Sequence, residues 1–462
     1  MLPGEPQLPS PRPSSAYIYR RRHVCSWRSL IHAFTLRRIL FSLLCAPILA
    51  LLAILCQGVP PSYNDIRIFE RRLPQHSVAA LTGAGRQPRY LRFPGHLWGH
   101  GLNNVMQEAL LMSYLAYVSN LSFVFEDYTW SHTPLPWAIY DFALRPAKIP
   151  LNAIISGPTA GGPMTNASQA PLAVSADFYE HVCSSPDVVP YVISSADAPN
   201  DADGAVIIEW WMEQLTSVQE PCIEIDSSAH DLFDRFLFGG PRILSLWESL
   251  AASPILSDFT WSPLVQAAVA RNFALLQPRA AKDIYTAGSE PTLHGLVAIH
   301  LRRGDYKRHC PNLAKWGAEY MGFNQHPALI DRFDPAPYAD DARSKEAYYL
   351  EHCLPTTEQL VARLHEIRLE HPELRRVYVL SNDWAWALEG LKEALEEDGW
   401  EDFVSSVDIQ LDAEQYYVSM AVDMAIAEKA EVFVGNGFSS LSSNVVMLRM
   451  AKGMDVRSNR FL

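Results

Sequence analysis

Short apolar runs punctuated by polar residues organise the second half of this chain. Val297, Ala298, Ile299 and Leu301, with His300 among them, predict a buried strand over 295–301. Arg376–Ser381 (RVYVLS) and Glu431–Val434 (EVFV) predict two more. Between them, apolar residues at helical spacing predict helices over about 344–368, 384–396, 414–429 and 439–452. Residues 303–343 are polar and aromatic and read as a long loop. In the first half, Val105, Ala109, Met112 and Ala116 recur at helical spacing and predict a helix over Leu102–Val118. A strand is expected at Leu121–Phe125, and Ala205–Trp210 (AVIIEW) reads as another. Helices are expected at Ile243–Leu250 and Leu264–Leu276, and a linker at Pro278–His294. Residues 141–203, rich in Pro, Ser, Ala and Asn, read as an irregular, substrate-facing insertion. Strands alternating with helices predict an α/β class with parallel sheets, arranged as two Rossmann-like domains, 89–278 and 279–462, facing a cleft.

Ahead of this body lies an uncharged apolar run, Ile39–Cys56 (ILFSLLCAPILALLAILC). Its length is the short end of a membrane span, and Arg37 and Arg38 flank its N-terminal side. The positive-inside rule then expects a single-pass type II anchor, with residues 1–38 a disordered cytosolic tail and the body in the ER or Golgi lumen. Residues 57–88 read as a stem.

Charge sharpens this picture. The chain carries −13 overall, yet residues 1–38 hold seven arginines against Glu5 alone. That leaves −19 on residues 39–462. So acidic a body excludes a nucleic-acid partner, and an anionic ligand needs a local cationic pocket. Four of the seven cysteines lie in the body: Cys183, Cys222, Cys310 and Cys353. They suffice for two disulfides in an oxidising lumen, or remain buried thiols. No CxxC pair exists, so structural zinc is not expected. Asn120-Leu-Ser and Asn166-Ala-Ser are glycosylation sequons that fit luminal exposure.

The strand at 295–301 ends in Arg302-Arg303-Gly304-Asp305. Ligands of open α/β sheets bind beyond the carboxyl ends of strands, and an arginine fork can grip two phosphate oxygens. A second segment, Asp423–Arg449, pairs a helix carrying Asp423 with a strand that ends in Gly435-Asn436-Gly437. That turn is read as needing backbone freedom. Ser439, Ser440 and Ser442 follow at a helix start, where hydroxyls and free N–H groups suit phosphate oxygens, though any one serine can be a plain cap. A glycine-rich turn, Phe93–Gly101, opens the first helix, whose positive end also suits an anion. Asp201-Ala-Asp203 is a D-x-D, the metal-holding motif of another transferase class, but it precedes its apolar run and reads as a turn.

Taken together, Gly101-Leu-Asn103-Asn104, His300-x-Arg302 and the D-M-A-I-A…V-F-V-G-N…S-S-x-S…R segment resemble the GDP-fucose protein O-fucosyltransferase superfamily over roughly residues 90–462. The resemblance implies a GT-B fold and an inverting, metal-independent transfer of fucose from GDP-fucose to a protein or glycan hydroxyl. It implies that Arg302 contacts the β-phosphate, with His300 beside it in the motif. Asn104, with Gly101 and Asn103, would face the sugar nucleotide from the first domain. Asp423 would read guanine or ribose, and Asn436, Ser439, Ser440 and Ser442 would hold the nucleotide and its phosphates. Arg303 and Asp305 resemble the arginine-rich form of the loop and would position Arg302. Val105 departs from the glutamine of several members. The acceptor-activating base does not map onto this chain. Asp305, Glu126 and Asp127 are the candidates, and Asp305 is taken as the catalytic carboxylate. Two rival readings stand: the same fold with another nucleotide sugar, and a catalytically silent membrane-tethered binder.

Overall fold

The computed structural model describes residues 36–56, 58–77, 88–95, 101–140, 143–165, 170–184, 188–277 and 292–462. The basic tail up to residue 35, the loop at 96–100, the sequon at Asn166 and the linker from 278 to 291 lie outside the described residues.

Strands β1 (Tyr90–Arg92), β2 (Ser122–Phe125), β3 (Val174–Ser175), β4 (Tyr191–Ser194) and β5 (Cys222–Asp226) form one sheet. Their order is β3-β2-β1-β5-β4, and every pairing is parallel. Strands β6 (Leu293–Leu301), β7 (Arg376–Ser381), β8 (Asp402–Ser405), β9 (Ala430–Gly435) and β10 (Asn459–Phe461) form a second sheet. Its order is β8-β7-β6-β9-β10, again all parallel. Parallel neighbours need long crossovers, so helices intervene between them. They are α1 (Leu102–Val118), α2 (Gly204–Ser217), α3 (Tyr306–Trp316), α4 (Ala342–Cys353), α5 (Thr357–Glu370), α6 (Ala385–Glu397), α7 (Ser419–Lys429) and α8 (Ser440–Ala451).

The side-chain period of two sorts β6 onto two cores. Val297, Ile299 and Leu301 pack with Val377, Val379, Val432 and Val434 against Leu364 and Ile367 of α5 and Leu391 and Leu395 of α6. Leu296 and Ala298 point the other way, with Tyr378, Leu380 and Phe433. That second face meets α7 and α8, and its core runs on without a break into α1 and the first sheet. Burial on both faces explains why these strands read as continuous apolar runs. His300 stands on the α7–α8 face, among its apolar neighbours.

Several expectations are corrected. Ala205–Trp210 is not a strand but the start of α2, with Ile207, Ile208, Trp211 and Leu215 buried at helical spacing. The strand there is β5, whose acids Glu224 and Asp226 interrupt the apolar pattern. The loop 303–343 contains α3, a basic helix with Pro311 inside it. The single helix over 344–368 is two, α4 and α5. Pro355 lies between them, and a Thr356–Gln359 capping box restarts the chain. The insertion 141–203 is not irregular throughout, since it supplies β3 and β4 to the first sheet.

The described part of the stem is not a free linker either. A helix, Asn64–Arg71, packs on the body. Tyr63 is buried and its hydroxyl donates to the Glu414 carbonyl. Arg67 forks onto both oxygens of Asp127, and Gln75 donates to the carbonyls of Gly161 and Ala173. By contacts the chain divides into Met1–Val59 with Asp141–Leu144, and Pro60–Tyr140 with Arg145–Leu462. In the first unit, helix Leu36–Cys56 covers the apolar run and contains Pro47. Its side chains are described at Phe41 and from Leu43 to Cys56, and among the described residues no helix is long and apolar enough to cross a membrane.

All four body cysteines are paired. Cys183–Cys222 ties a helix end to the start of β5, and Cys310–Cys353 ties α3 to α4. The cysteines of the two pairs lie 39 and 43 residues apart in sequence. In the loop-entropy account each bridge stabilises by about 4 kcal/mol.

Candidate active site

An open cleft of about 440 Å³ lies where β6, β7 and β8 end. Gly101, Asn103 and Asn104 enter it from the start of α1. His300 and Arg302 come from the end of β6, Ser381 and Asn382 from β7, and Ser406 from just beyond β8. Asp423 is presented by α7, and Ser440 and Leu441 by the first turn of α8. Helices α1 and α8 both open on the cleft, and neither has an acid in its first turn. Their free N–H groups and positive dipole ends therefore favour a bound anion.

Arg302 is the cationic centre. Its Nε and Nη2 donate to the two oxygens of Asp305 at 3.1 and 2.7 Å, and its guanidinium lies 4.6 Å from the centroid of the Tyr306 ring. Burial works against its charge, but the hydrogen bonds and fields of Asp305 and Tyr306 together hold its pKa above the ordinary arginine value. For Asp305, burial raises the carboxyl, but the hydrogen bond and charge of Arg302, together with a backbone N–H and the Asn382 amide, hold it below the usual carboxylate range. A carboxylate held below its ordinary pKa is a weaker proton acceptor.

His300 is pushed down to about 3, first by burial and then by the field of Arg302, so the ring is neutral. Its Nδ1 lies 2.9 Å from Ser442 Oγ, and that oxygen also accepts from the Asn436 N–H at 3.0 Å. Ser442 is fully buried, so its own hydrogen needs an acceptor, and His300 Nδ1 is the one in reach. The ring proton is thereby assigned to Nε2, a donor on a residue that lines the cleft.

Asp423 accepts from the Tyr378 hydroxyl and from Ser406 Oγ at 2.9 Å. Burial nevertheless dominates and raises it to about 6. Two donors leave a carboxylate with further lone pairs for a ligand N–H or O–H.

The Gly435–Ser442 turn works differently from the reading given above. Asn436 is buried, with Nδ2 donating to the Cys353 carbonyl at 2.8 Å and Oδ1 accepting from the Phe438 N–H. Ser439 caps α8 by accepting from the Leu441 N–H. Asn436, Ser439 and Ser442 thus hold the turn together from inside, and Ser440 alone of the four faces the cleft. The glycines answer to space rather than to backbone freedom. A Cβ on Gly437 would sit 2.3 Å from the Tyr320 ring, and one on Gly435 would sit 3.1 Å from Ser442.

Of the sequence candidates, the structure brings Gly101, Asn103, Asn104, His300, Arg302, Asp423 and Ser440 into one cleft. Within it, Asn103 is tied down: its carbonyl accepts from Asn444 Nδ2 and its amide lies against Met420 sulfur. Asn104 instead has a buried amide oxygen that takes no hydrogen bond in this structure. Arg303 is anchored through its backbone N–H to Asn382 and lines no part of the cleft. Glu126 pairs with Arg92, and Asp127 with Arg67, so neither reaches the site. Asp201 and Asp203 sit at a turn and a helix start, as the turn reading expected. Ser381, Asn382, Ser406 and Tyr378 were missed. The rule that found Arg302 would have found three of them, because Ser381, Asn382 and Ser406 also stand at or just beyond strand ends.

Residues 260–452 match the sequence model of the family described as GDP-fucose protein O-fucosyltransferase. Over that segment the chain is similar to the GDP-fucose protein O-fucosyltransferase family. That family is one of glycosyltransferases. The matched segment contains β6 to α8, and so every cleft residue of the second sheet. The fold is that of a crystal structure titled POFUT1 in complex with GDP-fucose. The TM-score is 0.50 at 16% identity, over 81% of this chain and 98% of that one. A further POFUT1 structure, with GDP, aligns at a TM-score of 0.46 and 15% identity, over 81% and 98% of the two chains. A point mutant of Arabidopsis thaliana FUT1 in complex with GDP aligns at a TM-score of 0.36 and 12% identity, over 84% and 78%. No curated protein matches by sequence.

Proposed function

We propose that this protein is a membrane-anchored fucosyltransferase that moves fucose from GDP-fucose to a protein or glycan hydroxyl, with inversion and without a metal ion. One observation carries the reading: Arg302, neutral His300 and the open end of α8 converge on one cleft at the strand ends, opposite the start of α1. In this reading the acceptor oxygen bonds to the anomeric carbon on the face away from the diphosphate. The carbon–oxygen bond to the β-phosphate breaks, and its electron pair leaves on GDP. Arg302 and the His300 Nε2–H meet the charge that develops there. A guanidinium fork fills the role that a divalent ion plays elsewhere, which supports metal independence. Asp423 and Ser406 suit the base or ribose, with Ile409, Leu411 and Met420 as the apolar wall.

Two separate parallel sheets support a division into an acceptor-side half, 89–278, and a nucleotide-side half, 279–462. Exposed apolar side chains along Leu36–Cys56, including Phe41, Leu44, Ile48, Leu52 and Leu55, support a type II anchor. Two disulfides support a luminal, oxidising site in the ER or Golgi.

The test is the thermal shift of the full-length chain with GDP, GDP-fucose, GDP-mannose and UDP-sugars, with and without Mn²⁺. A ligand that binds only the folded state must raise its stability. A metal-independent shift with GDP ligands, lost in Arg302→Ala, is the expected result. No shift with any nucleotide would refute the reading and leave a silent binder.

A further inference from the structure

A second open cavity, of about 470 Å³, adjoins the cleft. The two share Asn104, Arg302 and Ser440, so a molecule in the second cavity meets the reacting end of a donor held in the first. One wall of the second cavity is the outer face of α3. At about 100° per residue, Arg308, His309, Asn312, Lys315 and Trp316 fall on one stripe, while Tyr306, Cys310, Leu313 and Ala314 are buried opposite.

The stripe combines rings with positive charge. Ring centroids step from Tyr306 to His309 at 5.3 Å and from His309 to Trp316 at 5.8 Å. The ladder runs from a buried tyrosine at the cavity to a tryptophan that is 65% exposed. With Tyr306 buried under Arg302, the half-buried His309 and the exposed Trp316 are the rings that can meet a partner, and they suit one that is wet on its edges and apolar on its faces. Helix α3 also carries Lys307, Arg308 and Lys315 and no acid, in a chain whose residues 39–462 total −19. None of these three cations forms an ion pair among the described residues. Among the described residues the cavity wall holds one carboxylate, Asp305, which is already engaged by Arg302.

Resting on the fucosyltransferase reading above, we infer that this cavity and the α3 stripe form the acceptor subsite, and that the acceptor is an oligosaccharide bearing anionic groups. The half-buried His309 and exposed Trp316 rings favour a saccharide over an acidic peptide, and the cations favour an anionic saccharide over a neutral one.

Titration calorimetry on the full-length chain with GDP tests this. The probes are a uronic acid tetramer, its fully methyl-esterified neutral twin, a sulfated neutral tetramer and an aspartate-rich peptide of matched charge. One or both anionic tetramers should bind, the first reporting carboxylate recognition and the second sulfate. The neutral twin should bind about tenfold more weakly. Arg308→Ala and Trp316→Ala should each weaken the tetramer about fivefold while keeping the thermal shift with GDP, because neither residue lines the nucleotide cleft. Equal binding of the neutral twin, no binding of either anionic tetramer, or unchanged affinity in both variants overturns the subsite. Tighter binding of the peptide overturns the saccharide class. Absence of a GDP shift in the parent refutes the underlying donor reading instead, and the tetramer titration repeated without nucleotide still decides the subsite.

Discussion

Removing one buried hydroxyl, in Ser442→Ala, breaks the link between the Gly435–Ser442 turn and His300. The hydroxyl has two partners, the Asn436 N–H at 3.0 Å and His300 Nδ1 at 2.9 Å, and Ser442, Asn436 and His300 are all buried. An orphaned buried N–H costs about 1–3 kcal/mol, and the lost bond to the imidazole adds about 1. The total is about 3 kcal/mol. At about 2.1 cal/mol/K per residue over roughly 400 residues, the unfolding entropy is about 0.8 kcal/mol/K, so Tm should fall by about 4 °C. The second consequence is chemical. With no donor at Nδ1, the neutral ring is free to carry its proton on either nitrogen, and the cleft loses a fixed donor. GDP affinity should fall about threefold to tenfold, a fraction of one charge-assisted hydrogen bond. The assay combines scanning calorimetry, GDP titration and ¹⁵N spectra of labelled histidine, which read the tautomer directly. A purely structural serine would lower Tm and leave the His300 tautomer alone. An Nδ1–H tautomer in the parent, or unchanged Tm and GDP affinity in the variant, would refute the reasoning.

Three further perturbations probe other links. Asp305→Asn should change stability by less than about 1 kcal/mol, since the pair it forms with Arg302 is 38% and 55% exposed. It should also tighten GDP about threefold, by freeing Arg302 of a competing carboxylate. A hundredfold fall in transfer with GDP binding intact would instead make Asp305 the base. Glu108, on α1, is raised to about 7 by burial, with a smaller push from Asp231. A folded pKa above the unfolded one means its contribution is full below about 4.3 and is lost as pH rises through 7. Glu108→Gln should therefore match the parent near pH 4 and exceed it at pH 8 by up to about 3 kcal/mol in denaturant melts. A variant less stable than the parent at pH 8 contradicts that sign. Gly437→Ala places a methyl 2.3 Å from the Tyr320 ring, which is buried against Phe333, Phe438 and Phe461. It should cost about 3 kcal/mol or more, and a melt unchanged from the parent would show that the ring gives way freely.

Local pattern alone specified most of the second half. β6, β7 and β9 are buried on both faces, so apolar runs mark them, and the carboxyl end of β6 pointed to Arg302. The start of α1 and the Asp423–Ser442 segment were legible for the same reason: their chemistry lies within a few residues of an element end. What sequence did not specify depends on contacts between distant residues. Ala205–Trp210 is as apolar as a strand, and only its neighbours Trp211 and Leu215 and its packing make it helical. β5 was hidden because Glu224 meets Arg92 across the sheet, a partner 132 residues away that makes an acid acceptable in a strand. Cysteine pairing, the inward roles of Asn436 and Ser442, and the withdrawal of Glu126 and Asp127 into ion pairs are likewise long-range. A hydroxyl or a carboxylate has the same identity whether it faces a ligand or holds a turn. Its role is decided by which donor lies within about 3 Å, and only the tertiary fold brings that donor there.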